Sequence, residues 1–244
     1  MSRPQVFNAF DEHMIADLDA AFTHLSQDPQ VRVIVLAGEG KHFSGGADLQ
    51  WVQRASEATQ DWNLSDARRF SEMLHRIATC PKPTVARVQG AALGGGVGLI
   101  CACGMAVAAD NASFAVSEAK FGILPSVIGT YLVNAVGKRQ ARYLALPTTR
   151  IDANSALRMG MVQRVAPLEA LDTEVNRVVT DLVVGGPQAH IEIKHLMDQL
   201  SVALVSDQMR ELTASTIARV RGSDEAREGF AAFLAKRPAT WIAQ

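Results

Sequence analysis

The chain has 244 residues, 48% of them hydrophobic and 20% charged, and its formal net charge is −1. This balance gives no electrostatic basis for binding nucleic acid or an anionic membrane surface, and no apolar run approaches the roughly 20 residues of a membrane span. The opening sequence MSRP is not the start of a secretory signal. We expect a cytoplasmic protein with one substantial core and neither a nucleic-acid nor a membrane partner.

The first part of the chain alternates predicted helices with buried strands. Apolar residues recur at helical spacing from Asp11 to about Gln27, and residues 31–37 form an apolar run typical of a buried strand. The polar stretch near residues 56–66 is predicted to be a mobile loop. A helix should follow and end near Cys80, before two prolines, and residues 84–88 should form the next strand.

Two glycine-rich segments follow the two predicted strands. They read FSGGADL at 43–49 and GAALGGGVGL at 90–99. Glycines let a backbone turn sharply and pass close to a ligand, so two such loops can aim two N–H groups at one oxygen. Glu118 comes about 20 residues later between apolar residues, where burial should raise its pKa into an acid-base range. Together these segments predict an oxyanion hole beside one carboxylate.

The passages 31–52 and 84–103 resemble each other as strand, glycine loop and helix, which predicts stacked repeats of one supersecondary unit. From about Leu168 onward the chain should be purely helical, with a break at residues 185–187. A further amphipathic helix over 202–220 would place apolar side chains on one face. That face is covered either by the same chain or by another copy, and its positions are Val202, Val205, Met209, Leu212, Ile217 and Val220.

The cysteines and histidines predict no metal site and no disulfide. No CxxC pair and no zinc-like His/Cys spacing occurs, so the three cysteines are expected to be small buried hydrophobic residues. The histidines are scattered and should occupy surface or helix-face positions, and a phosphate-binding GxxxxGK[ST] loop is absent. The residues concerned are Cys80, Cys101, Cys103, His13, His24, His42, His75, His190 and His195.

In their order and spacing, these motifs resemble the enoyl-CoA hydratase/isomerase (crotonase) family, from Arg3-Pro4 through the last helix. Residues 47–51 (ADLQW), the GGGVGL segment and residues 117–120 (SEAK) are most similar to the methylglutaconyl-CoA hydratase branch. The resemblance implies an α/β crotonase fold, a superhelix of ββα units with a C-terminal helical region. Residues 1–185 would form the core, and residues 186–244 would serve oligomerisation and CoA contact in a homotrimer or a dimer of trimers.

The resemblance also implies a substrate and a set of site residues. The substrate would be an acyl-CoA thioester, so that CoA is part of the substrate and no separate cofactor is needed. The N–H groups of Ala47 and Gly95 would stabilise the enolate oxygen, and Glu118 would be the acid-base group. CoA and the acyl group would contact Val6, Ala9, Ala47, Asp48, Leu49, Gln50, Gly94 and Gly95, and also Phe230, Phe233 and Lys236 of the terminal helix.

The sequence departs from the family pattern at three places. Gly98 stands where hydratases carry a second glutamate, Gly104 stands where relatives carry Asp, and the Arg-Pro motif is not preceded by the family's first strand pair, which would leave a sheet edge open. We expect hydration of a methylglutaconyl-CoA-like substrate by one glutamate, with Lys120 or another cation binding the distal carboxylate. The alternatives are an enoyl-CoA double-bond isomerase and a catalytically weakened acyl-CoA-binding protein.

Overall fold

The computed structural model describes residues 1–200, 206–221 and 223–242, and these form an α/β structure. The helices are α1 (Glu12–Gln27), α2 (Leu49–Glu57), α3 (Gln60–Ala78), α4 (Gly95–Ala102), α5 (Ser126–Ala145), α6 (Ala153–Met159), α7 (Leu171–Val183), α8 (Pro187–Gln199), α9 (Asp207–Arg221) and α10 (Asp224–Leu234). The strands are β1 (Ile34–Ala37), β2 (Thr84–Val88), β3 (Ala91–Leu93), β4 (Met105–Ala109), β5 (Ser113–Ala115), β6 (Arg150–Asp152) and β7 (Arg164–Ala166). Short 3-10 helices cover Pro4–Val6, Glu118–Phe121 and Leu168–Ala170.

The strands form two sheets. The first has the order β1-β2-β4-β7 and is parallel throughout, and the second has the order β3-β5-β6, with β3 parallel and β6 antiparallel to β5. The successive units β2-β3-α4 and β4-β5-α5 each contribute one strand to each sheet. The chain therefore forms the superhelix of ββα units that the family resemblance implied.

The predicted helix at the start of the chain is confirmed, and the first strand is shorter than predicted. The Asp11 carboxylate caps α1 by accepting from the N–H of Met14 at 2.8 Å, and α1 buries Met14, Ile15, Leu18 and Phe22. The strand begins at Ile34 because its pairing with β2 starts there, opposite Thr84. β1 lies at an edge of the first sheet, and the amino group of Met1 donates to the carbonyl oxygen of Ala37 at 2.9 Å.

The prediction of a mobile loop over residues 56–66 is wrong. α2 ends at Glu57, and Thr59 caps α3 by accepting from the N–H of Trp62 at 3.2 Å, so only a short break separates the two helices. α2 has no buried residue, and the buried face of α3 lies mainly in its second half, at Met73, Leu74 and Ile77. Polar composition therefore concealed the end of α2 and the first two turns of α3, which are largely solvated.

The C-terminal part is helical in α7 to α10, as predicted, with the break between Val183 and Pro187. Of the predicted helix over 202–220, Val202 and Val205 lie outside the described residues, and the remaining apolar positions lie on α9. The Glu225 carboxylate accepts from the N–H groups of Gln188 and Ala189 at 2.8 and 2.7 Å, so the start of α10 caps the start of α8. The boundary at 185/186 and the trimer stay predictions. No helix of the described residues is long and apolar enough to cross a membrane.

The turn after α4 is stabilised by a hydrogen bond although Gly104 stands where relatives carry Asp. The N–H of Gly104 donates to the Thr84 hydroxyl at 2.8 Å, which supplies a local hydrogen bond at this position. The three cysteines are free, as predicted. Burial raises the pKa of both Cys101 and Cys103 to about 12, so their thiols stay protonated and unreactive at neutral pH.

Arg32 fastens the C-terminal helices to the core. Its guanidinium donates to the carbonyl oxygens of Val183 (3.3 Å), Gly185 (2.7 Å) and Trp241 (2.7 Å). The Trp241 indole N–H donates to the carbonyl oxygen of Val184 at 3.1 Å. One side chain thus joins the end of α7, the following turn and the segment after α10.

We expect Arg32→Ala to lower the free energy of unfolding by about 1–3 kcal/mol, because it leaves three carbonyl groups without their charged donor. Urea unfolding measures this change, and trypsin should cleave the region of α8 to α10 faster. Arg32→Lys is the matched control, since it keeps the charge but loses the planar fork and should be intermediate. Equal urea midpoints for the alanine variant and the wild type would contradict this role.

Candidate active site

Parallel pairing brings the two glycine-rich loops to one edge of the second sheet. Ser44 forms a parallel bridge with Ala92, and Ala47 and Gly95 each lie three residues further along. Neighbouring parallel strands run in the same direction about 4.8 Å apart. The register therefore places Ala47 and Gly95 at equivalent positions in adjacent layers, which is the structural basis of the repeat seen in the sequence.

The local backbone geometry turns both N–H groups away from other backbone acceptors. Phe10 donates to the carbonyl oxygen of Gly46 and accepts from the N–H of Asp48, both at 2.7 Å, and these bonds direct the intervening N–H of Ala47 to the opposite side. Gly95 is the first residue of α4, where a helix leaves its N–H groups without intrahelical acceptors. Since α2 begins just after Ala47, two helix N-termini add partial positive charge at this place.

Glycine is required at the second loop for steric reasons. Gly94 has φ +50°, in the left-handed region that favours glycine. A Cβ at Gly95 would lie 2.6 Å from Cε2 of Phe10 and 3.1 Å from Cζ of Phe70. The backbone at Gly95 is therefore packed directly against two aromatic rings, so its N–H has a fixed position.

Glu118 lies near Ala47 and Gly95, on the segment that follows β5. Ala92 pairs in parallel with Phe114, and Glu118 follows four residues later at the start of a 3-10 helix. A cavity of about 200 Å³ is lined by Glu118 together with Ala47 and Gly95. Its remaining walls are mainly apolar and include Trp51, Phe70 and Ile128.

The Glu118 carboxyl group is desolvated. Its Oε2 is buried and has no hydrogen-bond partner among the described residues, and its Oε1 would lie 3.3 Å from a Cβ built at Gly94. Burial raises the pKa of Glu118, partly opposed by hydrogen bonds from the N–H groups of Ser117 and Glu118 itself. The arrangement combines two oriented N–H donors with a carboxyl group whose pKa is raised by burial.

Comparison with known proteins shows the family and the fold of this chain. A model of the family described as enoyl-CoA hydratase/isomerase matches residues 1–244. The chain belongs to the enoyl-CoA hydratase/isomerase family. It shares the crotonase fold of this family with the crystal structure of an enoyl-CoA hydratase from Shewanella pealeana, with a TM-score of 0.94 and 36% identity over 98% of this chain and 89% of that chain.

Two curated relatives extend the comparison. A Thermus thermophilus protein named as an enoyl-CoA hydratase is 34% identical over 98% of this chain and 94% of its own length. The crotonyl-CoA hydratase of Syntrophomonas wolfei is 30% identical over 100% of this chain and 93% of its own length. The chain is thus an enzyme of the enoyl-CoA hydratase/isomerase family, which acts on acyl-CoA substrates.

The residues predicted to contact CoA near the amino terminus lie beside the first loop of this family member. Arg3 ties the segment together, because its guanidinium donates to the carbonyl oxygen of Ala9 at 2.6 Å and pairs with Asp48 at 3.2 Å. Asp48 also caps α2 by accepting from the N–H of Gln50 at 2.9 Å. Ala9 is buried, Val6 is half-buried, and Leu49 and Gln50 are exposed. Their contact with CoA stays a prediction.

The predicted contacts of the terminal helix lie elsewhere. Phe230 and Phe233 line a second cavity of about 560 Å³ among α8, α9 and α10, and Lys236 is exposed just after α10. None of these three residues lines the cavity that holds Glu118. Within one chain the structure does not bring them to the candidate active site, and their part in binding CoA stays a prediction.

Gly98 lacks room for any side chain. A Cβ at this position would lie 2.3 Å from Cγ2 and 2.9 Å from Cβ of Ile128, which is buried in α5 and lines the cavity. Sequence reasoning noticed the missing glutamate at Gly98 but not the residue that fills its space. It also missed Trp51, although Trp51 belongs to the motif that carries the resemblance and lies one helical turn after Ala47.

Proposed function

We propose that this enzyme hydrates an enoyl-CoA thioester with Glu118 as its single acid-base carboxylate. The observation that carries the proposal is the buried, unpartnered Oε2 of Glu118 in a cavity shared with Ala47 and Gly95. The two N–H groups supply the preorganised donors that an enolate oxygen needs, an effect worth about 3–4 kcal/mol for one donor in other enzymes.

One carboxylate suffices for the proton balance. The water oxygen bonds to Cβ of the enoyl group, the electrons of the double bond move onto the thioester oxygen, and Glu118 takes a proton from the water. The negative oxygen is held by the N–H groups of Ala47 and Gly95. As the enolate collapses, Glu118 returns the proton to Cα, so the product has gained one water and the enzyme is unchanged.

The acyl group that fits this cavity best is short and uncharged. Glu118 is the one ionisable side chain among the described residues that line it, so a distal carboxylate there would meet like charge and no cation. A relative is named crotonyl-CoA hydratase, and crotonyl is a short uncharged group. The methylglutaconyl-CoA-like substrate stays a prediction that rests on motif resemblance.

The direct test compares crotonyl-CoA with 3-methylglutaconyl-CoA and follows loss of the conjugated thioester absorbance. We expect crotonyl-CoA to be hydrated with the higher kcat/KM, whether or not 3-methylglutaconyl-CoA is hydrated as well. Higher kcat/KM on the methylglutaconyl substrate would overturn the choice of acyl group and leave the hydratase in place. No loss of absorbance with either substrate would overturn hydration itself.

Lys120 offers a specific prediction about charge recognition. It is exposed on the 3-10 helix that begins at Glu118, and it does not line the cavity. We therefore expect Lys120→Ala to leave the ratio of kcat/KM for the two substrates unchanged within about twofold, as exposed charges contribute little. A selective loss on 3-methylglutaconyl-CoA would instead show that Lys120 binds the distal carboxylate.

Double-bond isomerisation is the second candidate because it also needs only one carboxylate. The observation that favours it is Ile128, which takes the space where a second acid would stand. Glu118 would remove a proton from Cα of a β,γ-enoyl-CoA and return it to Cγ. Gain of conjugated absorbance from a β,γ-enoyl-CoA, with no hydration afterwards, would favour this reaction over hydration.

A further inference from the structure

Trp51 carries a second unpartnered polar atom at the same cavity. Among the described residues, the buried side-chain nitrogen and oxygen atoms without a hydrogen-bond partner are Nε1 of Trp51 and Oε2 of Glu118, and both residues line the cavity. Burying a polar group without a partner is unfavourable. Two such atoms, on two side chains that line the same small cavity, indicate that a bound molecule satisfies both.

The Trp51 ring is held in place by its neighbours. Its plane is perpendicular to the Phe70 ring, with centroids 6.5 Å apart, and Phe70 packs on Phe10 with centroids 5.5 Å apart. Phe10 in turn is the ring against which the backbone of Gly95 lies. The indole orientation is therefore set by the same aromatic packing that positions an oxyanion donor.

The two unpartnered atoms have complementary chemistry. An indole N–H only donates, whereas an ionised carboxylate oxygen only accepts. The bound molecule must therefore accept from Trp51 and donate to Glu118. The hydrocarbon part of an enoyl group can do neither, and the thioester oxygen is already assigned to the N–H groups of Ala47 and Gly95. Water can do both.

We propose that Trp51 positions the attacking water, by donating its indole N–H to the water oxygen while Glu118 accepts a proton from the same water. This inference rests on the proposed hydratase function. It assigns to Trp51 the second water contact that Gly98 cannot supply. The remaining lone pair of the water oxygen is then free to bond to Cβ of the substrate.

The test uses two reactions of the same protein that differ in their need for an attacking water. Hydration of crotonyl-CoA requires a water held for attack on Cβ, whereas exchange of the Cα hydrogens of butyryl-CoA requires the oxyanion donors, Glu118 and replacement of the proton on Glu118 by a deuteron from D2O, with no attack on Cβ. For Trp51→Phe we expect kcat of hydration to fall about tenfold, the effect of one hydrogen bond, with KM and the exchange rate unchanged.

Two further proteins separate the N–H group from the shape of the ring. Replacement of Trp51 by 3-benzothienylalanine keeps the ring outline and exchanges N–H for sulfur, so it should reproduce the tenfold loss. Val52→Ala is the control on the same helix, because Val52 is 41% exposed and does not line the cavity, and it should change neither reaction.

The outcomes are distinguishable. Wild-type hydration by the benzothienyl protein, or an equal loss of hydration and exchange in Trp51→Phe, would overturn the role of the N–H group while leaving the hydratase in place. A wild-type protein that exchanges Cα hydrogens but never hydrates would overturn the proposed function and this inference together.

Discussion

Glu118→Gln is expected to fold normally and to hydrate crotonyl-CoA about 100- to 10,000-fold more slowly than the wild type, mainly through kcat. The amide has nearly the size and shape of the carboxyl group but cannot take a proton from water. Stopped-time assays of conjugated absorbance measure the rate, and Lys120→Ala is the matched control two residues away. Retention of more than a tenth of wild-type kcat would remove Glu118 from the acid-base role.

Glu118→Gln, which is expected to lower activity, should raise the stability of the folded protein. Burial raises the pKa of Glu118 above its ordinary 4.5 in the folded protein, so between the two values the folded state binds more protons than the unfolded chain. The free energy of unfolding therefore falls as pH rises through this window, and the deficit persists above it. Glu118→Gln should raise Tm relative to the wild type above the raised pKa and match it below pH 4.5. An equal Tm difference at both pH values would contradict this linkage.

Hydration should require the ionised form of Glu118, because that form accepts the proton of water. The acid limb of kcat/KM is thus expected at a pH above the ordinary carboxyl value, as burial raises the pKa of this group. A desolvated acid that costs stability and supplies chemistry is typical of active sites. This combination, rather than the presence of a carboxylate alone, distinguishes Glu118 from the exposed acidic residues of the chain.

The sequence predicted the places where local rules decide the structure. Glycines after strands marked the two loops, and the parallel register of Ser44 with Ala92 then brings Ala47 and Gly95 into adjacent layers. Two features lay beyond such reasoning. The end of α2 and the start of α3 are mostly solvated and read as a polar loop, and the contact of Gly98 with Ile128 joins residues 30 positions apart. Contacts of this kind depend on how helices pack, which periodicity does not specify.

Gly98 and Ile128 together explain why a second glutamate is missing. α4 and α5 approach so closely here that a Cβ at Gly98 would meet the Cγ2 methyl and the Cβ of Ile128, and this Cβ cannot move without the backbone. Any side chain at position 98, glutamate included, therefore competes with Ile128 for the same space. The absence of a side chain at position 98 thus matches the packing of α4 against α5 and does not depend on that position alone.

This competition predicts that the effect of Gly98→Ala on the free energy of unfolding changes sign when Ile128 is replaced by alanine. In the wild type, Gly98→Ala gains about 1 kcal/mol of helix propensity but overpacks the core at a cost of about 1–3 kcal/mol, so we expect net destabilisation. Ile128→Ala should cost about 2–5 kcal/mol by leaving a cavity, and in that background Gly98→Ala should stabilise, because the new methyl group fills part of the space.

Urea unfolding of the two single variants and the double variant measures the coupling, and Leu74→Ala provides the control background. Leu74 Cδ1 would lie 3.7 Å from the same Cβ, an ordinary contact, so its removal should not rescue Gly98→Ala. Additive effects of Gly98→Ala and Ile128→Ala would show that the two positions do not compete. A reversal confined to the Ile128→Ala background would instead show that this one isoleucine fills the space that a side chain at position 98 needs.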